Sequence, residues 1–130
     1  MHMKLTELPP WSEEQPGYGS IVWGGWQMGY VDLPMPFDAT PMYADLPGSG
    51  CPCPHWMYIF EGTITAHYPS GEHETETARA GEVCYFPPGH ILIYEEPTKA
   101  LEFNPPEQLD QIMAESMKKL AELGLEAFTS

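Results

Sequence analysis

Positive charge is scarce in this sequence. Its 130 residues hold 5 Lys and Arg against 19 Asp and Glu, so the formal net charge is −14. Such an acidic surface repels phosphate backbones and anionic lipids, and we expect neither nucleic acid nor a membrane as partner. No apolar run reaches the ~18 residues of a transmembrane helix. The hydrophobic share of 42% is nevertheless too high for a disordered acidic segment.

Cysteine is also rare, because the chain has only three and two of them, Cys51 and Cys53, flank a single proline. This odd number argues against a framework of structural disulfides. It favours a cytoplasmic protein with free or metal-bound thiols. Residues 1–10 also lack the apolar core of a signal peptide, which agrees with a cytoplasmic location.

Turn-forming residues are abundant, with 15 Pro and 12 Gly. Aromatic and β-branched segments recur about every ten residues between turn signals, which predicts an all-β sandwich or small barrel over residues 18–104. Residues 18–31 are expected to form two strands joined at the Gly24-Gly25 pair or one strand with a bulge, and Thr40–Asp45 is expected to form a short strand. Residues 1–17 are polar and proline-rich, and we interpret them as an N-terminal arm or a short first strand with loops.

The last segment has a different pattern. Its apolar residues recur at the spacing of one helical face, and they are Leu109, Ile112, Met113, Met117 and Leu120. Acidic residues lie early and Lys118 and Lys119 lie late, as the helix dipole favours. Residues 105–130 are therefore predicted to form a C-terminal α-helix and tail, packed on the barrel or on a partner in a homodimer.

The most distinctive pattern is Cys51-Pro-Cys53-Pro-His55. In an extended segment these three side chains share one face, and Trp56 and Tyr58 point the other way. Because Met57 and Ile59 continue the first face, that face is expected to be the inner one. Thiolate and imidazole together suit a divalent transition metal such as Zn, Fe, Cu or Ni.

A metal needs a further ligand from elsewhere, and His90 after Pro87-Pro88-Gly89 is the leading candidate. The predicted metal site is therefore Cys51, Cys53, His55 and His90. Other interpretations remain open: an inert buried core, a redox-active thiol pair, or hydrogen-bonding groups for an organic ligand. His67 and His73 are expected to face water.

Residues 50–92 resemble the two sequence motifs of the cupin superfamily. Gly62, preceded by Tyr58-Ile59-Phe60-Glu61, matches the end of the first motif, and Gly81-x5-Pro87-x-Gly89 matches the second. With Cys-Pro-Cys-Pro-His-Trp before them, they look like a subgroup of small bacterial cupins. The resemblance implies a double-stranded β-helix, or jelly-roll barrel, that is often dimeric and holds a ligand pocket.

The usual metal ligands of that superfamily are not retained in kind. Aligned on the motif glycines, the four ligand positions fall on Ser49, Cys51, His55 and Leu92. Two of these positions carry other metal-capable side chains, and His90 lies two residues before Leu92 on the same strand face. The chemistry of three histidines and a carboxylate therefore does not transfer directly.

Two functions follow from these observations. One is a metal-dependent enzyme, such as a dioxygenase or isomerase, in which the metal acts as Lewis acid or binds O₂ while Met57 and Tyr94 line the pocket for a small molecule. The other is a non-catalytic barrel that binds a metal or a small molecule. The number of protein ligands separates them, because a closed four-ligand site is structural and an open one is catalytic.

Overall fold

The computed structural model describes residues 1–12, 15–43 and 50–107, together with Ala114, Lys118, Lys119 and Glu122. Its strands are β1 (Pro10–Ser12), β2 (Gln15–Trp23), β3 (Trp26–Leu33), β4 (Phe37–Asp38), β5 (His55–Glu61), β6 (Thr63–His67), β7 (Glu76–Arg79), β8 (Val83–Phe86), β9 (Ile91–Tyr94) and β10 (Thr98–Asn104). One short helix, α1, spans Thr40–Tyr43, and a 3-10 turn spans Leu5–Glu7. No described helix is long and apolar enough to cross a membrane.

The strands form two antiparallel sheets. One contains six strands in the order β1-β2-β3-β10-β5-β8, and the other contains four in the order β4-β9-β6-β7. The chain passes between the sheets, so that β5 and β6 lie in different sheets although only Gly62 separates them. This is the all-β jelly-roll barrel predicted from the sequence. The core lies between the inner faces of the two sheets.

Glycine sets two of the turns that shape the barrel. Gly24 and Gly25 have φ of 60° and 81° and join β2 to β3, which confirms the predicted hairpin. A two-residue hairpin turn with both φ positive fits the twist of its strands. Gly62 has φ of 97°, and a Cβ there would lie 2.6 Å from the carbonyl oxygen of Pro97. The glycine that closes the first motif is therefore required by a close backbone approach.

The short strand predicted at Thr40–Asp45 is wrong where the structure describes it, because Thr40–Tyr43 is helical. Asp38 Oδ1 accepts hydrogen bonds from the backbone N–H and the hydroxyl of Thr40. A carboxylate at this position satisfies a free backbone donor, and Pro41 is compatible with a first helical turn. These local interactions outweigh the strand preference of Thr and Tyr.

At the N-terminal end, strand structure begins before residue 18, where the barrel was predicted to start. β1 pairs with β2, and β2 begins at Gln15, so strand structure crosses the boundary predicted at residue 17. The C-terminal helix predicted over residues 105–130 lies almost entirely outside the described residues.

Candidate functional site

The approach to β5 confirms the predicted alternation of faces. Cys51, Cys53 and His55 are buried, with exposed fractions of 1%, 0% and 5%. Trp56 and Tyr58 point outward and are 40% and 37% exposed. The Cys51–His55 segment therefore turns its thiols and its imidazole into the barrel.

A backbone bridge brings the second motif to this segment. Cys51 N–H donates to the carbonyl oxygen of His90 over 2.7 Å, and Gly89 N–H donates to that of Cys51, also over 2.7 Å. As a result, Cys51 Sγ lies 3.8 Å from His55 Nε2, and the rings of His55 and His90 are 4.7 Å apart. One ligand atom from each of Cys51, His55 and His90 lies within 4.8 Å of the others.

Hydrogen bonds orient both imidazoles. Asn104 lies between Glu102 and His55. Because a carboxylate can only accept hydrogen bonds, Asn104 Nδ2 donates to Glu102 Oε1 over 3.0 Å. The amide oxygen of Asn104, Oδ1, therefore faces His55 Nδ1. A neutral His55 then carries its proton on Nδ1, which leaves an electron pair on Nε2. His90 Nδ1 donates to the carbonyl oxygen of Pro87 over 2.8 Å. The Nε2 atom of each ring is therefore the one that faces the cluster, and that of His55 contacts Cys51 Sγ.

His90 Nε2 has no partner for that electron pair. The atom is buried, and among the described residues it accepts or donates no hydrogen bond. A buried polar atom without a partner costs about 1–3 kcal/mol, so native structures rarely retain one without a ligand, an ion or a functional reason. His90 Nε2 is thus an available electron-pair donor inside the barrel.

A buried carboxylate lies behind the imidazoles. Glu102 is 5% exposed and accepts a hydrogen bond of 2.6 Å from the Tyr18 hydroxyl as well as the one from Asn104. The chain of contacts therefore runs from Tyr18 through Glu102 and Asn104 to His55. Carboxylate–histidine arrangements of this kind hold a metal-binding imidazole in one orientation.

The pKa values of His55 and His90 are shifted in opposite directions. Burial lowers the pKa of His55, but the charge of Glu102, the hydrogen bond and charge of Cys51 and the hydrogen bond to Asn104 outweigh it and raise this pKa to about 9. Burial and the charge of His55 lower the pKa of His90 to about 3, against the raising effect of the Pro87 carbonyl. His90 is therefore neutral and ready to bind, whereas a ligand at His55 must displace a proton.

A small cavity adjoins the cluster. It has a volume of about 40 Å³, which is room for a few water-sized groups. It is lined by Tyr18, Val31, Phe37, Ala39, Met42, Tyr43, His55, Leu92, Tyr94 and Glu102. Tyr94 thus lies where the sequence placed it, whereas Met57 is buried but does not line this cavity.

The other predicted ligand, Cys53, is placed differently. It is buried, and its Sγ lies 3.5 Å from the carbonyl oxygen of Pro54, outside the group formed by Cys51, His55 and His90. Burial, followed by the charges of Cys51 and Glu102, raises the pKa of Cys53 to about 12, which keeps it a thiol. His67 and His73 are exposed, as predicted.

Sequence reasoning did not single out Glu102, Asn104 or Tyr18, because none of them lies in a recognised motif. One signal was present. Ala100, Glu102 and Asn104 alternate with Leu101 and Phe103, so β10 has one polar and one apolar face. The partners of β10, β3 and β5, decide which face is inside, and that information is not local.

The similarity of this chain to known proteins is a similarity to solved structures. No family model matches the chain, and no curated protein matches it in sequence. Among solved structures, protein NMB1881 from Neisseria meningitidis has a TM-score of 0.53 and 16% identity, covering 81% of this chain and 99% of that one. At this identity the likeness shows the fold alone.

Two further structures share part of this architecture. A cupin-2 domain containing protein from Shewanella frigidimarina NCIMB 400 has a TM-score of 0.46 and 20% identity, covering 74% of this chain and 81% of its own. The polyketide cyclase from Streptomyces resistomycificus has a TM-score of 0.47 and 17% identity, covering 81% and 78%. The barrel described above has the two-sheet jelly-roll fold that the sequence predicts.

Proposed function

We propose that the barrel binds a divalent transition metal, such as Zn, Fe, Cu or Ni, through Cys51 Sγ, His55 Nε2 and His90 Nε2. The observation that carries this proposal is the buried, unpartnered His90 Nε2 beside two other donor atoms within 4.8 Å. One thiolate and two imidazoles are a donor set that these metals prefer.

The distances support the same proposal. Tetrahedral ligation at metal–ligand distances of 2.0–2.3 Å separates ligand atoms by about 3.3–3.8 Å. Cys51 Sγ and His55 Nε2 are 3.8 Å apart, and the widest separation in the group is 4.8 Å. Small side-chain movements are therefore enough to close the three atoms around an ion.

Three protein ligands would leave a fourth position open, which supports catalysis over storage or structure. A metal at this position supplies a Lewis acid, or a redox centre if it is iron or copper. His55 and Glu102 line the neighbouring cavity, so a small molecule bound there would lie beside both the metal ligand and a carboxylate. We propose an enzyme acting on a small molecule, of the dioxygenase or isomerase type.

Cys53 decides between this enzyme and a non-catalytic metal- or ligand-binding barrel. If Cys53 completes a set of four ligands, the site is closed and the protein stores, senses or is stabilised by the metal. Its position outside the group formed by Cys51, His55 and His90 favours the open site. Its two neighbours, Pro52 and Pro54, restrict the backbone rotation that would bring it closer.

A second candidate function rests on the contacts of Cys51. A cysteine beside a histidine that is oriented by an asparagine is also the arrangement of a cysteine nucleophile, and here these residues are Cys51, His55 and Asn104. That function gives no role to His90 Nε2, and its nucleophile, Cys51, does not line the cavity. Metal binding gives His90 Nε2 a role and is therefore the first choice.

The test is metal analysis of the untagged protein purified under reducing conditions. We expect about one metal ion per chain, and its loss in Cys51→Ser, His55→Ala and His90→Ala. Cys84→Ser is the matched control, because Cys84 lies outside the cluster on β8 and should leave the metal in place. A wild-type protein that takes up no metal on reconstitution would contradict the proposal.

Cys53→Ser then separates the two kinds of metal site. Retained metal content with unchanged affinity supports the three-ligand, catalytic site, whereas lost metal supports the closed one. The free state of Cys51, Cys53 and Cys84 fits a reducing compartment, so we propose a cytoplasmic location. We further propose a homodimer.

A further inference from the structure

The outer surface of the six-stranded sheet is unusually apolar. We call it the aromatic face, and its side chains project from β3, β10, β5 and β8. They are Trp26, Tyr30, Phe103, Trp56, Tyr58, Phe60, Val83 and Tyr85. Seven of the eight, all except Tyr30, are between 37% and 79% exposed. This is the reverse of the usual arrangement, in which aromatic side chains lie in the core.

Strand pairing makes these side chains one continuous surface. Phe103 pairs with Trp56 across β10 and β5, and Trp56 pairs with Tyr85 across β5 and β8. Ring centroids of Trp26 and Trp56 lie 5.4 Å apart, and those of Trp56 and Tyr85 lie 4.9 Å apart. Farther along β5, Tyr58 and Phe60 are 5.0 Å apart. The rings therefore form a packed layer rather than scattered exposed residues.

The exposed area is close to what a stable interface needs. A whole aromatic side chain offers roughly 200 Å², so seven such groups near half exposure leave on the order of 600 Å². Partly exposed neighbours such as Tyr30 and Leu101 add to this area. Monomers rarely expose a larger apolar patch, and a standard interface buries about 800 Å² on each partner.

The distribution of charge also favours association through the aromatic face. The chain carries a net charge of −14, yet the eight side chains of the aromatic face carry no charge. Ionisable groups border this face: Lys99 is paired in register with Asp32 and with Glu61 at one end, and Glu76 and Glu82 lie beside Val83 and Tyr85. Two negatively charged copies repel at a distance, and an uncharged face is where they can approach.

We infer that the aromatic face is the surface through which two copies of this chain associate. A groove of about 420 Å³ between β5 and β8 offers a receptor for a ring from the other copy. Its lining is Trp56, Met57, Tyr58, Val83, Cys84, Tyr85 and Phe103. A two-fold symmetric interface brings the same patch of each copy together, as a self-complementary apolar sheet requires.

Residues 108–130 of the same chain are the competing occupant. Their apolar positions predict one helix stripe, and a helix is about 10 Å wide. The face covers four adjacent strands, β3, β10, β5 and β8, spaced about 4.8 Å apart, so one helix would cover about half of it. A second flat sheet covers the whole face, which is why a second copy is the better fit.

The experiment is sedimentation velocity of the full chain over a wide concentration range. We expect wild type at twice the mass of the chain. Tyr58→Glu and Phe103→Glu each place a charge in the contact and should weaken the dimer about 30-fold or more. The matched control is Met35→Glu, since Met35 is 59% exposed but lies between β3 and β4, away from the face. This variant should remain dimeric.

Two outcomes would overturn the inference: a monomeric wild type, which would favour coverage by residues 108–130, and a dimer that both face variants leave intact. Circular dichroism checks that the variants are folded. If they are not, Val83→Glu carries the test, because Val83 is 79% exposed and tolerates a polar side chain in the monomer. The result is independent of metal content and does not depend on the proposed metal site.

Discussion

The two faces of the six-stranded sheet have opposite chemistry, and both are contributed by the same strands. On β10, Glu102 and Asn104 point into the barrel while Phe103 between them points out. On β5, His55 points in and Trp56 points out. The inner face is thus locally polar and hydrogen-bonded, and the outer face is aromatic.

This difference indicates that the inner face is built for chemistry rather than for stability. Burying a carboxylate and two imidazoles costs free energy that hydrogen bonds repay only in part, and apolar residues of equal size would pack at lower cost. The outer face also carries a cost in free energy, because its apolar rings are exposed to water in the single chain. Under the two proposals, a bound metal would account for the cost of the inner face and a second copy of the chain for that of the outer face.

The largest expected effect comes from placing leucine at two neighbouring positions of β10, one on the inner face of the sheet and one on the outer face. Asn104→Leu keeps the number of side-chain heavy atoms but removes the donor to Glu102 Oε1 and the acceptor for His55 Nδ1. We expect a loss of about 4 kcal/mol in the free energy of unfolding, the range for one partner removed from a buried charged network. Urea unfolding with chelator measures it.

The matched variant is Phe103→Leu, whose side chain is 41% exposed. A swap between apolar side chains of related size should cost less than about 1.5 kcal/mol. Equal losses at positions 103 and 104 would show that the polar network has no special energetic role.

The second largest effect is a pH dependence of the metal-free protein. The pKa of His55 is raised from 6.5 to about 9 in the folded state, so the folded protein holds a proton that the unfolded chain releases in that range. The associated stability is present in full below pH 6.5 and is lost as the pH rises through about 9. The total is roughly 3 kcal/mol, measurable by urea unfolding with chelator at each pH.

Glu102→Gln tests the cause of that shift. A glutamine can still accept hydrogen bonds from Tyr18 and Asn104, but it removes the charge that most strongly raises the pKa of His55. The pKa of His55, followed by NMR, should fall by about 1–3 units, and the stability curve between pH 6.5 and 9 should flatten. An unchanged pKa would exclude Glu102 as the cause.

The sequence carries enough information to predict the barrel and the approach of Cys51, His55 and His90, but it also placed Cys53 with them and gave no sign of the network behind them. Side-chain alternation from Cys51 onward correctly separated the faces of His55 and Trp56, and the motif resemblance correctly implied the fold. Alternation in Ala100–Asn104 also defines two faces, but hydrophobicity favours placing Leu101 and Phe103 inside. Only pairing of β10 with β3 and β5 puts Glu102 there.

A smaller effect on the free energy of unfolding is expected from removing the hydroxyl group of a tyrosine, either Tyr18 in the barrel or Tyr58 on the aromatic face. Tyr18→Phe removes the hydroxyl that donates to Glu102 Oε1 over 2.6 Å, and a hydrogen bond to a buried charge contributes about 2 kcal/mol. Tyr58→Phe, on the aromatic face, should change the free energy of unfolding by less than about 0.5 kcal/mol. Thermal or urea unfolding of the pair gives the difference, and equal values would mean that the Tyr18 hydroxyl is dispensable.

The smallest single effect is expected for Val83→Thr, and its comparison with Val31→Thr links stability to association. Val83→Thr, at a side chain 79% exposed, should cost less than about 0.5 kcal/mol at concentrations where the chain is monomeric. Val31→Thr buries a hydroxyl at a site 2% exposed and should cost about 1–3 kcal/mol at every concentration. If the aromatic face associates with a second copy, the cost of Val83→Thr rises with protein concentration while that of Val31→Thr does not. A cost at Val83 that is independent of concentration would mean that this part of the face stays in water.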